Sequence, residues 1–237
     1  MKKNRPFTTL FTLISVDGKI STGDNDDLDV DKDFPKINGV KEGLFQYYDI
    51  EKHTDIVSLN TGRVMAKIGV NERTVEPTRM KVSFVIIDRK PHLTEKGVEY
   101  LCKWVNELYV VTTNKNHPAY KMKEKFPNLE IILYKDTIDL SDLLHKLKSQ
   151  YKINRITVQS GGTLNAQWAR EGLIDMVRVV VAPCLIGGEN TQFLIGGESL
   201  HTSTELNKIK SLKLIECNIL KNSYLDLKYK VLNSVTT

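Results

Sequence analysis

The 237-residue chain has little cysteine, and what it has is badly placed for cross-linking. Cys102, Cys184 and Cys217 are odd in number, far apart and form no C-x-x-C pair, and the five histidines show no metal-ligand spacing. A disulfide framework and a structural metal site are therefore not expected, and the cysteines read as buried free thiols. No apolar run approaches the roughly 18 to 20 residues that cross a bilayer, so no membrane partner is expected. The basic start, Met1 to Pro6, is not followed by an apolar segment with a small-residue cleavage site, and the chain reads as cytoplasmic. No stretch rich in Pro, Gly or Ser marks a linker, so one domain over 1–237 is expected. Neither a P-loop G-K-[ST] nor a G-x-G-x-x-G is present.

A block of one charge is also missing. The net charge of +5 is spread along the chain, which suits an anionic ligand but is mostly solvated surface. Nucleic-acid binding would need a denser basic stripe with interleaved aromatics. Lys121, Lys123 and Lys125 alternate with Met122, Glu124 and Phe126 and read as an exposed helix face, so no nucleic-acid partner is expected.

What is present is an alternation of strands and helices. Phe7 to Val16, Asp55 to Leu59, Val82 to Ile87, Leu108 to Thr112, Leu129 to Leu133 and Ile156 to Gln159 are strand-length apolar runs. Runs of this kind usually sit inside a parallel sheet covered by helices. Between them, Thr94 to Asn106 opens on a capping Thr94 and repeats Leu101, Trp104, Val105 and Leu108 at helical spacing. Asp139 to Tyr151 puts Leu140, Leu143, Leu144 and Leu147 on one stripe, which reads as a core face. Thr163 to Glu171 is a shorter helix stopped by Gly172. Towards the C-terminus come Met176 to Ala182 and then Leu212 to Leu220 and Tyr224 to Leu232 around a Lys221-Asn222-Ser223 turn, an antiparallel hairpin. The pattern predicts an α/β sheet, mostly parallel, with an antiparallel C-terminal hairpin.

The chemistry concentrates at strand ends. Ile156 to Asp175 runs from a strand into Gly161-Gly162 and a helix starting at about Thr163. Glycines there let the backbone approach a phosphate, and a helix N-terminus offers N–H groups and partial positive charge. The same pair also serves a tight turn for conformation alone. Thr163 is placed to cap the helix and to donate to the same oxygens. Val57 to Arg63 again reads strand, glycine turn, helix start, and Ile86 to Lys90 puts two cations directly after a buried strand. Ligands of open α/β sheets bind at the carboxyl ends of strands. Glycine turns together with Arg63 and Arg89 therefore point to a dinucleotide with an extra 2′-phosphate, because a guanidinium fork can bind two phosphate oxygens at once. Taken singly, either arginine also reads as surface charge.

In order, Ser15-Val16-Asp17-Gly18-Lys19-Ile20, Gln159-Ser160-Gly161-Gly162-Thr163-Leu164, Glu171-Gly172-Leu173-Ile174-Asp175 and Ala182-Pro183-Cys184-Leu185-Ile186-Gly187-Gly188 resemble the dihydrofolate-reductase-like superfamily. The branch that they resemble is the RibD C-terminal reductase domain of riboflavin biosynthesis, over almost the whole chain. The resemblance implies a dihydrofolate-reductase-like three-layer fold, NADPH as cofactor and a homodimer. It also implies hydride transfer to a pyrimidine-linked sugar or related heterocycle, as in a 5-amino-6-(5-phosphoribosylamino)uracil reductase. It assigns Gly161, Gly162, Thr163 and Leu164 to the pyrophosphate, with Thr61, Gly62 and Arg63 as a second cofactor turn. Asp88 and Arg89 fall to the adenosine and its 2′-phosphate, and Ile14 to the nicotinamide.

Asp17 and Lys19, just beyond the first strand, are the catalytic candidates nearest the expected nicotinamide, with water as another proton source. Asp17-Gly18 is also a common turn pair. The substrate-binding candidates are Asp27 and Gln159. The chain departs from the riboflavin branch in having Gln159-Ser160 where a Glu-Gly-Gly usually begins, and the acidic stretch Asp24 to Asp33 where Ser and Trp usually follow the D-G-K turn. Two further readings stand beside the reductase: a transferase or kinase using the glycine turns, and a non-catalytic or divergent nucleotide-binding protein on the same fold.

Overall fold

A computed structural model describes residues 4–232; the basic Met1 to Lys3 lie outside them. In chain order the elements are β1 (Phe7–Ser15), α1 (Val30–Asp33), α2 (Phe45–Glu51), β2 (Val57–Thr61), α3 (Gly62–Lys67), β3 (Ser83–Ile87), α4 (Glu95–Trp104) and β4 (Leu108–Thr112). They continue with α5 (Ala119–Met122), β5 (Leu129–Leu133), α6 (Leu140–Ser149), β6 (Arg155–Val158), α7 (Gly162–Arg170), β7 (Met176–Ala182), β8 (Ser211–Ile219) and β9 (Leu225–Leu232). Two compact units result, one built on Asp55–Ser160, the other on Phe7–Thr54 and the chain from Gly161 onwards.

In the first unit the strands run parallel in the order β5-β4-β3-β2-β6. Their continuous apolar sequences follow from burial on both faces, since successive side chains point to opposite sides. On one face Phe84, Ile86, Leu108 and Val110 meet Met65 of α3, Val98 and Leu101 of α4 and Met122 of α5. On the other, Tyr109 meets Tyr151 edge to face at 4.8 Å. Helix α4 starts where its sequence says, with the Thr94 hydroxyl accepting from Gly97 N at 3.2 Å. Leu108 does not continue that helix; it begins β4, because the helix ends at Val105 and the chain turns back. The leucine stripe of α6 is buried as expected, each side chain contributing about 1.5–3 kcal/mol by leaving water.

In the second unit β1 pairs with β7 in parallel, then β7 with β9 and β9 with β8 antiparallel. The mostly parallel arrangement and the C-terminal hairpin are thus as the sequence predicts. Phe11 and Leu13 of β1 and Val180 and Ala182 of β7 form a core with Phe34, Val40, Leu44, Tyr47 and Tyr224. Phe11 and Tyr47 stack at 5.2 Å, and the Tyr224 hydroxyl donates to Val40 O at 2.7 Å. Arg178 grips Asp226 with two 2.8 Å hydrogen bonds between β7 and β9. The second half of the acidic stretch is used in folding. Asp29 caps α1, Asp31 accepts from the Tyr48 hydroxyl, and Asp33 accepts from Thr22, Lys36 and Asp29 N.

Two expectations are corrected. Only Cys102 is a buried thiol; Cys184 is half-buried and Cys217 is exposed, because it lies on β8, where almost every residue is exposed. Thr163 does not cap α7: Gly161 takes the cap position with extended backbone, and Thr163 falls one step inside the helix. No helix among the described residues is long and apolar enough to cross a membrane.

Candidate active site

Thr61, Gly62, Arg63, Asp88 and Arg89 all lie in the first unit, at the carboxyl ends of β2 and β3. Thr61 caps α3, its hydroxyl accepting from Val64 N at 3.3 Å. Gly62 follows as the first helical residue, and Arg63 is exposed. After β3 the chain turns at Asp88, and Arg89 and Lys90 stand exposed. Asp88 itself points inward. Its carboxylate accepts from His92 N, from His92 Nδ1 at 3.0 Å, from Leu93 N at 3.0 Å and from His117 Nε2 at 3.0 Å. Burial pushes its pKa up, but the His117 bond and the Leu93 and His92 donors outweigh it and hold the group below the usual carboxylate range. A Cβ on Gly62 would overlap that carboxylate, so glycine at 62 is demanded by the protein's own packing.

Gln159, also in the first unit, ends a polar relay. Asn60 Nδ2 donates to Ser58 Oγ at 2.9 Å, and Ser58 Oγ donates to Gln159 Oε1 at 2.8 Å. The Gln159 side-chain oxygen is thereby tied to β2. The sequence reading missed Ser58 and Asn60, though their signal is there: two polar residues, two apart and so on one face, alternating with the apolar Val57 and Leu59.

In the second unit the start of α7 is crossed by a strap, residues 187–197. Gly196 N donates to Gly162 O at 3.0 Å and Asn165 Nδ2 donates to Leu194 O at 2.9 Å. A Cβ on Gly162 would strike the Phe193 carbonyl oxygen. Gly161 differs. Its backbone (φ −72°, ψ 160°) is open to any residue, and an added Cβ would meet only the tip of Gln192, at 3.4 Å. Neither conformation nor packing asks for glycine at 161. The first intrahelical bond is Asn165 N to Gly161 O, so the N–H groups of Gly162, Thr163 and Leu164 precede the helical ladder and face the same end.

The strap is pinned by Lys19. Its Nζ donates to Gly188 O at 2.5 Å and Thr191 O at 3.0 Å and sits 3.2 Å from the Phe193 ring centre. A buried ammonium needs such acceptors, and the ring face adds a cation–π contact. Two backbone bonds, Ile20 N to Gln192 O and Leu194 N to Gly18 O, hold the same segment. Asp17 accepts from Ser15 Oγ, Ile186 N and Gly187 N. Burial raises its pKa, but these donors outweigh it and bring the group down to about 2. Asp17 is therefore a carboxylate at neutral pH. Ile14 is half-buried on β1 opposite Val181 of β7, and Asp27 is exposed in the loop before α1.

The RibD C-terminal domain family matches residues 6–220. The chain belongs to that family. It is 25% identical over 203 residues to the 2,5-diamino-6-ribosylamino-4(3H)-pyrimidinone 5′-phosphate reductase of Methanothermobacter thermautotrophicus, covering 83% of this chain and 86% of that one. The riboflavin biosynthesis protein RibD of Actinobacillus pleuropneumoniae is 24% identical over 226 residues, covering 93% of this chain and 57% of that one. Among solved structures, Acinetobacter baumannii RibD matches 98% of this chain and 60% of its own at a TM-score of 0.66 and 18% identity. The Saccharomyces riboflavin biosynthesis reductase Rib7 matches 98% and 92% at 0.61 and 15%. The chain thus spans little more than half of these two RibD proteins and most of these two reductases. The fold is that of the RibD reductase domains, dihydrofolate-reductase-like, as the sequence resemblance implied.

Proposed function

We propose that this chain is an NADPH-dependent reductase of riboflavin biosynthesis, its whole length acting as one reductase domain on a ribosylaminopyrimidine phosphate in the cytoplasm. The observation that carries the cofactor reading is Gly161, a glycine that the fold itself does not require, beside the open N–H groups of α7. A phosphate approaching there would be stopped by a Cβ, and the helix end favours negative charge.

NADPH, when bound, supplies the hydride. The residues of this chain hold and orient. Gly161 and the backbone of Gly162, Thr163 and Leu164 take the pyrophosphate; Thr61, Gly62 and Arg63 form the second cofactor turn; Arg89 takes the 2′-phosphate; Ile14 flanks the nicotinamide. Gln159, its oxygen held by Ser58, and Asp27, in its exposed loop, are the substrate-binding residues of this reading. Asp17, already ionised, is no acid at neutral pH; it orients the turn that carries Lys19. Lys19 gives its ammonium to the strap carbonyls and the Phe193 ring, so a water supplies the proton.

A homodimer is part of the same reading. Strand β8 ends its sheet with Leu214, Ile215 and Ile219 at 51%, 51% and 84% exposure. An apolar edge strand of this length is a template for another chain unless it is covered. A second copy is the occupant proposed, and Ile219→Lys should shift the light-scattering mass from dimer to monomer.

Titration of NADPH fluorescence, against NADH and ATP, tests the cofactor. Binding of NADPH in the range of roughly tens of micromolar or tighter is expected. ATP preference would instead mark a transferase or kinase, and NADPH binding without turnover of pyrimidine substrates a non-catalytic protein. Arg89→Ala should weaken NADPH about tenfold, the worth of one charge-assisted hydrogen bond, and leave NADH nearly unchanged.

A further inference from the structure

The Asp88 carboxylate is fully buried, and so is the His117 ring behind it. Four donors reach it: the N–H groups of His92 and Leu93 and the rings of His92 and His117. A carboxylate has about four lone-pair positions, so none is left for a ligand. The tautomer of His117 is fixed as well. Ala119 N donates to Nδ1 at 3.1 Å, so the ring proton sits on Nε2 and points at Asp88.

These bonds join three loops at the carboxyl ends of β2, β3 and β4. Gly62 at the start of α3 rests on the carboxylate with no room for a Cβ. The Arg89–Leu93 turn closes over it. The loop from Asn114 to Ala119 delivers His117, and Thr112 Oγ1 donates to the Asp88 carbonyl at 2.8 Å. Asn71 secures the far side of the turn, its Nδ2 donating to His92 O and its Oδ1 accepting from Thr94 N, both at 2.9 Å. The outcome is a turn fixed from within whose outward side chains are the exposed Arg89 and Lys90.

We infer that Asp88 is a positioning residue and not a cofactor ligand: with His117 it locks the Arg89 turn against the start of α3, and so sets the preference for a 2′-phosphate. The inference rests on the reading of Arg89 as the group that meets that phosphate. An Asn at 88 would place an NH₂ against inward-pointing N–H donors and release the turn. A Leu at 117 would leave one carboxylate position unpaired, whereas a Gln can restore the donor.

The experiment uses the intact chain and measures NADPH and NADH affinity by fluorescence, with urea midpoints for stability. Asp88→Asn and His117→Leu should each lower the NADPH-over-NADH preference about tenfold, and His117→Gln should restore it to within about twofold of wild type. Backbone hydrogen exchange in 89–93 should rise in the first two variants and not in the third. Should Asp88→Asn fail to fold, the two His117 variants carry the test. Equal loss of NADPH and NADH, or an unchanged preference in folded Asp88→Asn or His117→Leu, would overturn the inference while leaving the cofactor reading intact. A wild-type chain that does not prefer NADPH would overturn the two together.

Discussion

The end of β2 and the start of α7 both place a glycine where a strand gives way to a helix, yet the glycines answer to different masters. Gly62 is small because a buried carboxylate fills the space beside it, and Gly162 because the strap's Phe193 carbonyl does. Gly161 has an ordinary backbone, and an added Cβ there would meet only the tip of Gln192. Only the last has no reason inside the protein. A glycine turn is therefore evidence for a ligand only after the fold's own claims on it are subtracted.

The largest effect should come from Gly62→Ala. Its methyl group would enter the Asp88 carboxylate, which four donors hold in place, so relief requires moving buried charge. A loss of about 3 kcal/mol is expected, at the upper end for overpacking a core, read as a lower urea midpoint with unchanged slope. A near-wild-type midpoint would mean the turn yields easily and Asp88 is not the anchor described. Gly162→Ala should cost about 2 kcal/mol, because its methyl group would strike the Phe193 carbonyl oxygen of the pinned strap.

Gly161→Ala inverts the pattern. Stability should change by less than about 0.5 kcal/mol, as at a site with no clash or special conformation. NADPH affinity should nevertheless fall about tenfold or more, since the methyl group occupies the space where a phosphate would approach. Intact affinity in this variant would remove the observation on which the cofactor site rests; a large loss of stability would show that the two glycines are alike after all.

Much of this was legible in the sequence, for identifiable reasons. The strands showed because burial on both faces forces continuous apolar runs, and α4 and α6 because a core stripe, with the capping Thr94 for α4, is a local signal. The order of short motifs gave the family. What was hidden is what depends on distant partners. Asp88 reads as a strand-end acid, and nothing local says that His117, 29 positions on, will bury it. Lys19 reads as a turn cation, and its partners Gly188 and Thr191 lie about 170 residues away. Thr163 reads as a cap because Thr is a good one, but the helix starts at Gly162 and Gly161 takes the cap position. Leu108 fitted a helical stripe and a strand equally well, and the turn after α4 decided it.

The smallest effect separates Asp17 from the acid it resembles. Its carboxyl is held at about 2 against an ordinary 3.8, by Ser15 Oγ and the Ile186 and Gly187 N–H groups. A depressed pKa stabilises the folded state above the unfolded value, and that contribution disappears as pH falls through the folded value. The wild type should therefore be more stable than Asp17→Asn by a constant, solvent-screened increment above about pH 5, with the difference shrinking between pH 4 and 2. Urea midpoints of the two proteins across that range read it directly, and parallel pH profiles would mean the carboxylate contributes nothing to holding the turn. The same substitution bears on the chemistry. If Asp17 only orients the turn that carries Lys19, Asp17→Asn should lower turnover without moving the acidic limb of the pH–rate profile, because no group titrating near neutrality has been removed.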